Sequence, residues 1–388
     1  MRQSMKFLMG VCTLCTVAAT TMAGLYGDTP NAKHAWAVHD RNRPNPKKIT
    51  ADPGKAPSDA IILFDGTSLA NWTDAKGNKS KWRIDNGSMY PVRGSGIIKT
   101  KQAFGDCQLH IEWCTPTDIR GYGQQRGNSG VFLMGNYEVQ VLDSYETDPD
   151  GNPNKNPNYA DGQAGAVYAE NPPMVNPTRA PGQWQCYDIV FHQPIWEGRT
   201  LKYPGSLTVF LNGVLIQDHW EMEGRATHCI RRGLAPHPTK LPFQLQDHGN
   251  PVRFRNIWIR EIPSRYANTT HGGPAANEKD VMALRKQTAA KLFAKIDTRS
   301  TDRVNMLSQL LEVISYDKDP KYLQIIAEVQ KVYLDQLGKE SGATIKNRKG
   351  ELFHLRNACN VLFRNHVIGR DDPLRNGILE IIRKNKLR

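Results

Sequence analysis

Between Ala60 and Ile262 the chain returns again and again to short apolar runs, each closed by Gly, Asn or Pro. They are "AIILFDG", "WRIDNGSMY", "GIIKT", "CQLHIEWC", "GVFLMG", "YEVQVLD", "GAVYAE", "WQCYDIVFH", "SLTVFLNGVLIQD", "PFQLQDHG" and "RFRNIWIREI". No helical period separates them, so they predict antiparallel strands packed as a sandwich or jelly roll. "VFLNGVLIQ" predicts a hairpin, because Asn212-Gly213 can supply the two positive-φ residues of a type I′ turn.

After Pro263 the period changes. Val281, Leu284, Thr288, Ala289, Leu292 and Ile296 share one helical face, with Asn277 as cap and Asp280 in the first turn. Four further amphipathic stretches follow, around Leu307, Val329, Leu355 and Ile378, so residues 277–388 predict a small all-α bundle. Between the two regions, "SRYANTTHGGPAA" at 264–276 marks a boundary. Residues 24–57 are rich in Pro, Asn, Lys and Asp without periodicity and read as a linker.

Ahead of that segment, "MRQSMKFLMGVCTLCTVAATTMAG" has a basic start, an apolar stretch from Phe7 to Ala19 and a small residue at Ala23. This predicts a Sec signal peptide over 1–23, cleaved after Ala23, and export to the periplasm or beyond. The apolar stretch is too short to span a bilayer, and no later one is longer. Cys107, Cys114, Cys186, Cys229 and Cys359 then remain, an odd number without C-x-x-C spacing, which indicates neither a disulfide framework nor a zinc site. The net charge is +13, and from Ser264 onward 23 Lys and Arg face 14 Asp and Glu. The basic residues are spread out and form no stripe, which predicts a solvated helical surface and no nucleic-acid partner.

Chemistry is best sought in "YEVQVLD". Glu138, Gln140 and Leu142 share one strand face, and Asp143 falls on the other. A bulge between Val141 and Leu142 would re-aim Asp143 to the side of Glu138. The Gly-rich loop "GYGQQRGNSG" precedes the neighbouring strand and offers Asn128 and Ser129. "LPFQLQDHG" ends a strand with Gln244, Gln246 and His248, a histidine able to act as a base near neutral pH. The polar loop 144–163 contains Asp148, Asp150 and Asn152, but it lacks the ligand pattern and closing Glu of a calcium loop. Of the many tryptophans, at most two are expected in a sugar-binding cleft, the rest packing in the core.

"LFDGTSLANW", "GNSGVFL", "YEVQVLD", "GAVYAENPP", "PGQWQCYDIVF", "VFLNGVLI" and "LQDHGNPVRFRNIWIREI", in this order over about residues 59–262, resemble the 3-keto-disaccharide hydrolase family. The resemblance implies a mainly β chain, a concanavalin-like jelly roll over 58–263 followed by the helical domain. β-Glucanases of this fold carry Glu-x-Asp-x-x-Glu on one bulged strand, and Glu138, Gln140 and Asp143 have that spacing. With Gln140 in place of the central acid, an ordinary retaining mechanism, which needs two carboxyls about 5–5.5 Å apart, is disfavoured.

The family's chemistry implies another route. A ketone at C3 acidifies the C2 proton, a base removes it, the C1 substituent leaves, and water adds back. This needs an acid, a base and donors to the C3 oxygen. Glu138, Asp143 and His248 are expected to divide the acid and base roles, with Asn128, Gln140 and Gln246 as hydrogen-bonding partners. Met134 stands where the family usually has Arg, so one substrate-gripping charge is missing. No cofactor is expected, with a divalent metal left open. The partner is a carbohydrate substrate. The alternative is a non-catalytic carbohydrate-binding module whose helical domain serves attachment.

Overall fold

The computed structural model describes residues 27–145, 159–264 and 278–388. The expected signal peptide, the Asp148-Asp150-Asn152 run, the Asn277 cap and nearly all of the 264–276 boundary lie outside the described residues. The described chain divides into two compact units. One is formed by the residues from 47 through 264; the other joins the residues up to Pro46 with the helices.

The first unit is a sandwich of two antiparallel sheets. In the larger, the strands run in the order Val214–Glu221, Ser206–Leu211, Gln185–His192, Cys107–Cys114, Arg253–Glu261, Ser88–Tyr90 and Arg83–Asp85, and Ile61–Phe64 also pairs with Arg253–Glu261. The smaller has the order Trp72–Asp74, Ile98–Phe104, Leu241–Leu245, Ser129–Leu133 and Tyr137–Val141. This is the jelly-roll architecture expected from the spacing of the apolar runs. Alternation builds the core. Leu109, Ile111, Tyr187, Ile189 and Phe191 point inward from the larger sheet, and Val131, Val139, Val141 and Leu245 meet them from the smaller; all are fully buried. The rings of Tyr137 and Phe191 meet across the sandwich with centroids 5.8 Å apart. The Asn212-Gly213 turn has both φ angles positive, at 53° and 82°, as the hairpin requires. All five cysteines among the described residues are free thiols, so this core holds without disulfides.

The second unit contains α1 (Glu278–Phe293), α2 (Arg303–Tyr316), α3 (Pro320–Lys339), α4 (Gly342–Asn347), α5 (Lys349–Arg364) and α6 (Pro373–Lys384). Five of these match the expected amphipathic stretches; α4 is an additional single short helix capped by Ser341. Asp302, Asp319 and Asp372 cap α2, α3 and α6 through their side chains, and Pro320 and Pro373 open the latter two. α2 is the central element, buried almost continuously from Met306 to Tyr316. No helix among the described residues is long and apolar enough to cross a membrane.

The expectation of a linker over 24–57 needs correction for residues 35–42. Ala35 and Ala37 are buried, the Trp36 ring meets Tyr316 edge-on at 6.3 Å, and Asn42 Nδ2 donates to Glu312 Oε1 at 2.7 Å. The Tyr316 hydroxyl also donates to Asp40. A few apolar contacts and short polar tethers fasten this segment, none with a period that sequence could display. Trp36→Ala should lower the stability of this unit by about 2 kcal/mol, below the cost of losing a fully buried ring. Hydrogen exchange would show it as faster exchange of α2 amides with the Cys107–Cys114 strand unchanged; equal protection of α2 in both proteins would restore the linker reading.

Candidate active site

The strand Tyr137–Val141 ends the smaller sheet, and its pairing with Ser129–Leu133 runs without a register shift from Leu133↔Tyr137 to Ser129↔Val141. Tyr137, Val139 and Val141 therefore face the core, while Glu138 and Gln140 project from the opposite face. A second segment covers this edge: Gln140 N donates to Ala166 O at 3.0 Å, Gly165 N to Gln140 O at 2.9 Å, and Tyr168 N to Glu138 O at 3.1 Å. Glu138 and Gln140 are thereby enclosed, at 5% and 1% exposure.

They line a cavity of about 400 Å³ together with Gln124, Asn128, Tyr168, His228, Gln246 and His248. Five of the six residues expected at the site thus come together. No tryptophan among the described residues lines this cavity, whose Phe132 and Tyr168 rings stand beside the two histidines. Burial alone pushes the Glu138 carboxyl up to about 8, so at neutral pH it holds its proton. The space for that carboxyl comes from Gly130, directly opposite Gln140: a Cβ there would meet Glu138 Oε1 and would lie 2.6 Å from Phe132 Cε2. Gly130→Ala should therefore displace the carboxyl more than it disturbs the fold. Its expected signature is a loss of turnover of roughly 100-fold, the scale of an ångström's misplacement, with the melting temperature nearly unchanged. A fully active Gly130→Ala protein would show that the carboxyl's position is immaterial.

Amide side chains form the rest of the floor. Gln124 Oε1 accepts from Gln140 Nε2 at 2.7 Å and from Asn128 Nδ2 at 2.9 Å, and Gln124 Nε2 donates to Gly162 O at 2.8 Å. One glutamine thus ties the Gly-rich loop, the strand and the covering segment together. Asn128 Oδ1, Gln140 Oε1 and Gln246 Oε1 are buried with no partner among the described residues. Buried acceptors of this kind call for donors, and the hydroxyls of a sugar are suitable ones. Tyr168 links the floor to the rim: its hydroxyl lies 2.8 Å from Tyr159 Oη and 3.0 Å from His228 Nδ1. Burial, followed by the hydrogen bond to Tyr159, raises the Tyr168 phenol above its ordinary value.

His248 stands at the exposed lip on a fixed loop. Asp247 accepts from Ser95 Oγ at 3.0 Å and from the backbone N–H groups of Gly96 and Gly249 at 2.9 and 3.0 Å. Asn250 Oδ1 accepts from Gly127 N at 3.0 Å, joining that loop to the Gly-rich one.

Asp143 is not part of this cavity. The strand ends at Val141, Leu142 is fully buried, and the chain carries Asp143 to Arg126, whose Nε donates to Asp143 Oδ2 at 2.6 Å. No bulge returns it toward Glu138; the pair lies instead beside a neighbouring cavity with Gly249 and Asn250. Ser129 is also structural, its hydroxyl donating to Gln246 O at 2.7 Å. Met134 is buried in the core, so the position where the family usually carries Arg serves packing in this chain. Gln124, Tyr168 and His228 escaped the reading of the sequence, although Gln124 and Tyr168 lie within stretches it singled out.

The sequence pattern described as a 3-keto-alpha-glucoside-1,2-lyase-like domain matches residues 59–260, just over half of the chain. A crystal structure of a "putative glycosyl hydrolase" from Parabacteroides distasonis ATCC 8503 is 41% identical, covering 56% of this chain and 93% of that one, with a TM-score of 0.52. Two further structures of the same description and source are 20% and 22% identical. They cover 53% and 52% of this chain and 94% and 99% of their own, each with a TM-score of 0.38. No curated protein matches the chain.

Proposed function

The chain belongs to the 3-keto-alpha-glucoside-1,2-lyase-like family, and from that premise we propose that it is an exported enzyme cleaving the glycosidic bond of 3-keto-glycosides by elimination. The observation that carries this reading is Glu138: a carboxyl that burial pushes up to about 8, set among buried amide oxygens with no partner among the described residues. A neutral carboxyl at neutral pH is an acid in waiting, and the leaving oxygen at C1 needs one.

His248, at the lip, takes the C2 proton. The electron pair left at C2 moves toward the C3 ketone, the C1–O bond breaks, and Glu138 gives its proton to the departing oxygen. Gln246 Nε2 and the Tyr168 hydroxyl serve as donors to the C3 oxygen as charge gathers there, while Asn128 Oδ1 and Gln140 Oε1 accept from ring hydroxyls. The product is an unsaturated 2-hydroxy-3-ketone, and addition of water across C1 and C2 completes a net hydrolysis. A second carboxyl is not required, which agrees with Asp143 being occupied by Arg126. Incubation with 3-keto-glucosides and with the parent glucosides, followed by product analysis, tests the reading. Release of the aglycone from the keto sugar alone supports it, and binding of either sugar without turnover would leave a carbohydrate-binding module.

A further inference from the structure

On the outer face of the larger sheet, away from the Glu138 cavity, four side chains that can bind a metal occupy a two-by-two square. His110 and Glu112 come from the strand Cys107–Cys114, Cys186 and Asp188 from Gln185–His192, in the register His110↔Asp188 and Glu112↔Cys186. Their inward-facing neighbours Leu109, Ile111, Tyr187 and Ile189 are fully buried, so the alternation of both strands delivers these four to one side.

Three of them converge. His110 Nδ1 is 2.7 Å from Asp188 Oδ1, and Cys186 Sγ is 3.6 Å from His110 Nδ1 and 3.5 Å from Asp188 Oδ2. Ligands about 2.0–2.3 Å from a tetrahedral ion are roughly 3.3–3.8 Å apart, so only the His110–Asp188 separation has to widen. The imidazole is fixed in orientation by Trp258, stacked on it at 5.1 Å with 5° between the planes. Its other nitrogen faces the Asn256 amide at 3.2 Å and the Glu112 carboxylate at 4.0 Å, and Arg255 Nε holds Glu112 at 2.6 Å. An outer carboxylate behind the far nitrogen is the usual support of a ligating histidine.

We propose that His110, Cys186 and Asp188 bind a borderline divalent cation, zinc foremost, and thereby staple the two central strands of the larger sheet. A thiolate, an imidazole and a carboxylate together favour zinc over magnesium or calcium. Binding replaces the Nδ1–H to Asp188 hydrogen bond: the imidazole proton moves to Nε2, on the side of Glu112, and the Cys186 thiol proton passes to water. The spacing of the cysteines along the chain hides this set, because it assembles across a sheet register.

The test uses the full chain, reduced, stripped with a chelator and titrated with Co²⁺. One equivalent should produce the near-ultraviolet thiolate-to-cobalt absorption, and Zn²⁺ should abolish it. Cys186→Ser should lose the band, and Asp188→Asn should weaken cobalt binding at least about tenfold. Cys229→Ser should change nothing. Absence of the band in the folded, reduced parent protein, or its persistence in Cys186→Ser, would overturn the site and leave His110 and Asp188 as a hydrogen-bonded pair.

Discussion

Glu138→Gln is expected to lower turnover of a 3-keto-glucoside by at least ~100-fold, the usual worth of a positioned acid, and at the same time to make the protein more stable. Both effects follow from one cause. Burial raises the Glu138 carboxyl from its ordinary value of 4.5 to about 8. Over that window the folded chain keeps a proton that the unfolded chain has already released. Stability therefore falls as pH rises from about the unfolded value through about 8. A glutamine cannot ionise and escapes this penalty. The gain should be small at pH 4, grow across the window and reach the order of a few kcal/mol near pH 9. Denaturant unfolding of both proteins at several pH values measures it. In the parent enzyme, the same protonation makes turnover decline as pH rises through about 8. A variant equally active, or one whose stability advantage does not change with pH, would show that Glu138 does not carry a buried proton.

The second large effect concerns the substrate and its isotopes. If a base removes the C2 proton, only a C3 ketone can receive the resulting charge, and a parent glucoside offers no such sink. Cleavage should be restricted to the keto sugar, with His248→Ala also losing at least ~100-fold. In heavy water, elimination followed by hydration should place one deuterium at C2 of the released sugar, read by mass and by proton resonance. Turnover of unoxidised glucosides with no deuterium at C2 would replace elimination with displacement at C1. That outcome would require a second carboxyl near Glu138, a place that Asp143 does not fill.

The strands were legible because turns punctuate them and because alternation marks one buried face. Glu138 and Gln140 stood out for the same reason: they are polar residues in a strand whose other side chains are core. Asp143 was misplaced because the bulge expected to bring it round to Glu138 assumes that the strand continues. Here it stops at Val141, and Arg126, which draws Asp143 away, lies in a separate loop. Gln124 and Tyr168 were missed for a related reason, since each reaches the cavity only once a loop closes over the sheet edge. The contacts of Trp36 and Asp40 with α2 involve isolated side chains, which leave no pattern to find.

Those contacts also set an order in time. Asp40 and its partner Tyr316 are 276 positions apart in the chain, and Asn42 and Glu312 are 270 apart. At ribosomal rates of about 5–20 residues per second, that separation is roughly 15 to 55 seconds of synthesis. The first described residues thus emerge long before the surface they belong to exists, and the entire jelly roll is made in the interval. A ribosome that stops before α2 delivers a complete sandwich behind an orphaned Trp36, whereas one that finishes lets the last part of the chain reclaim the first.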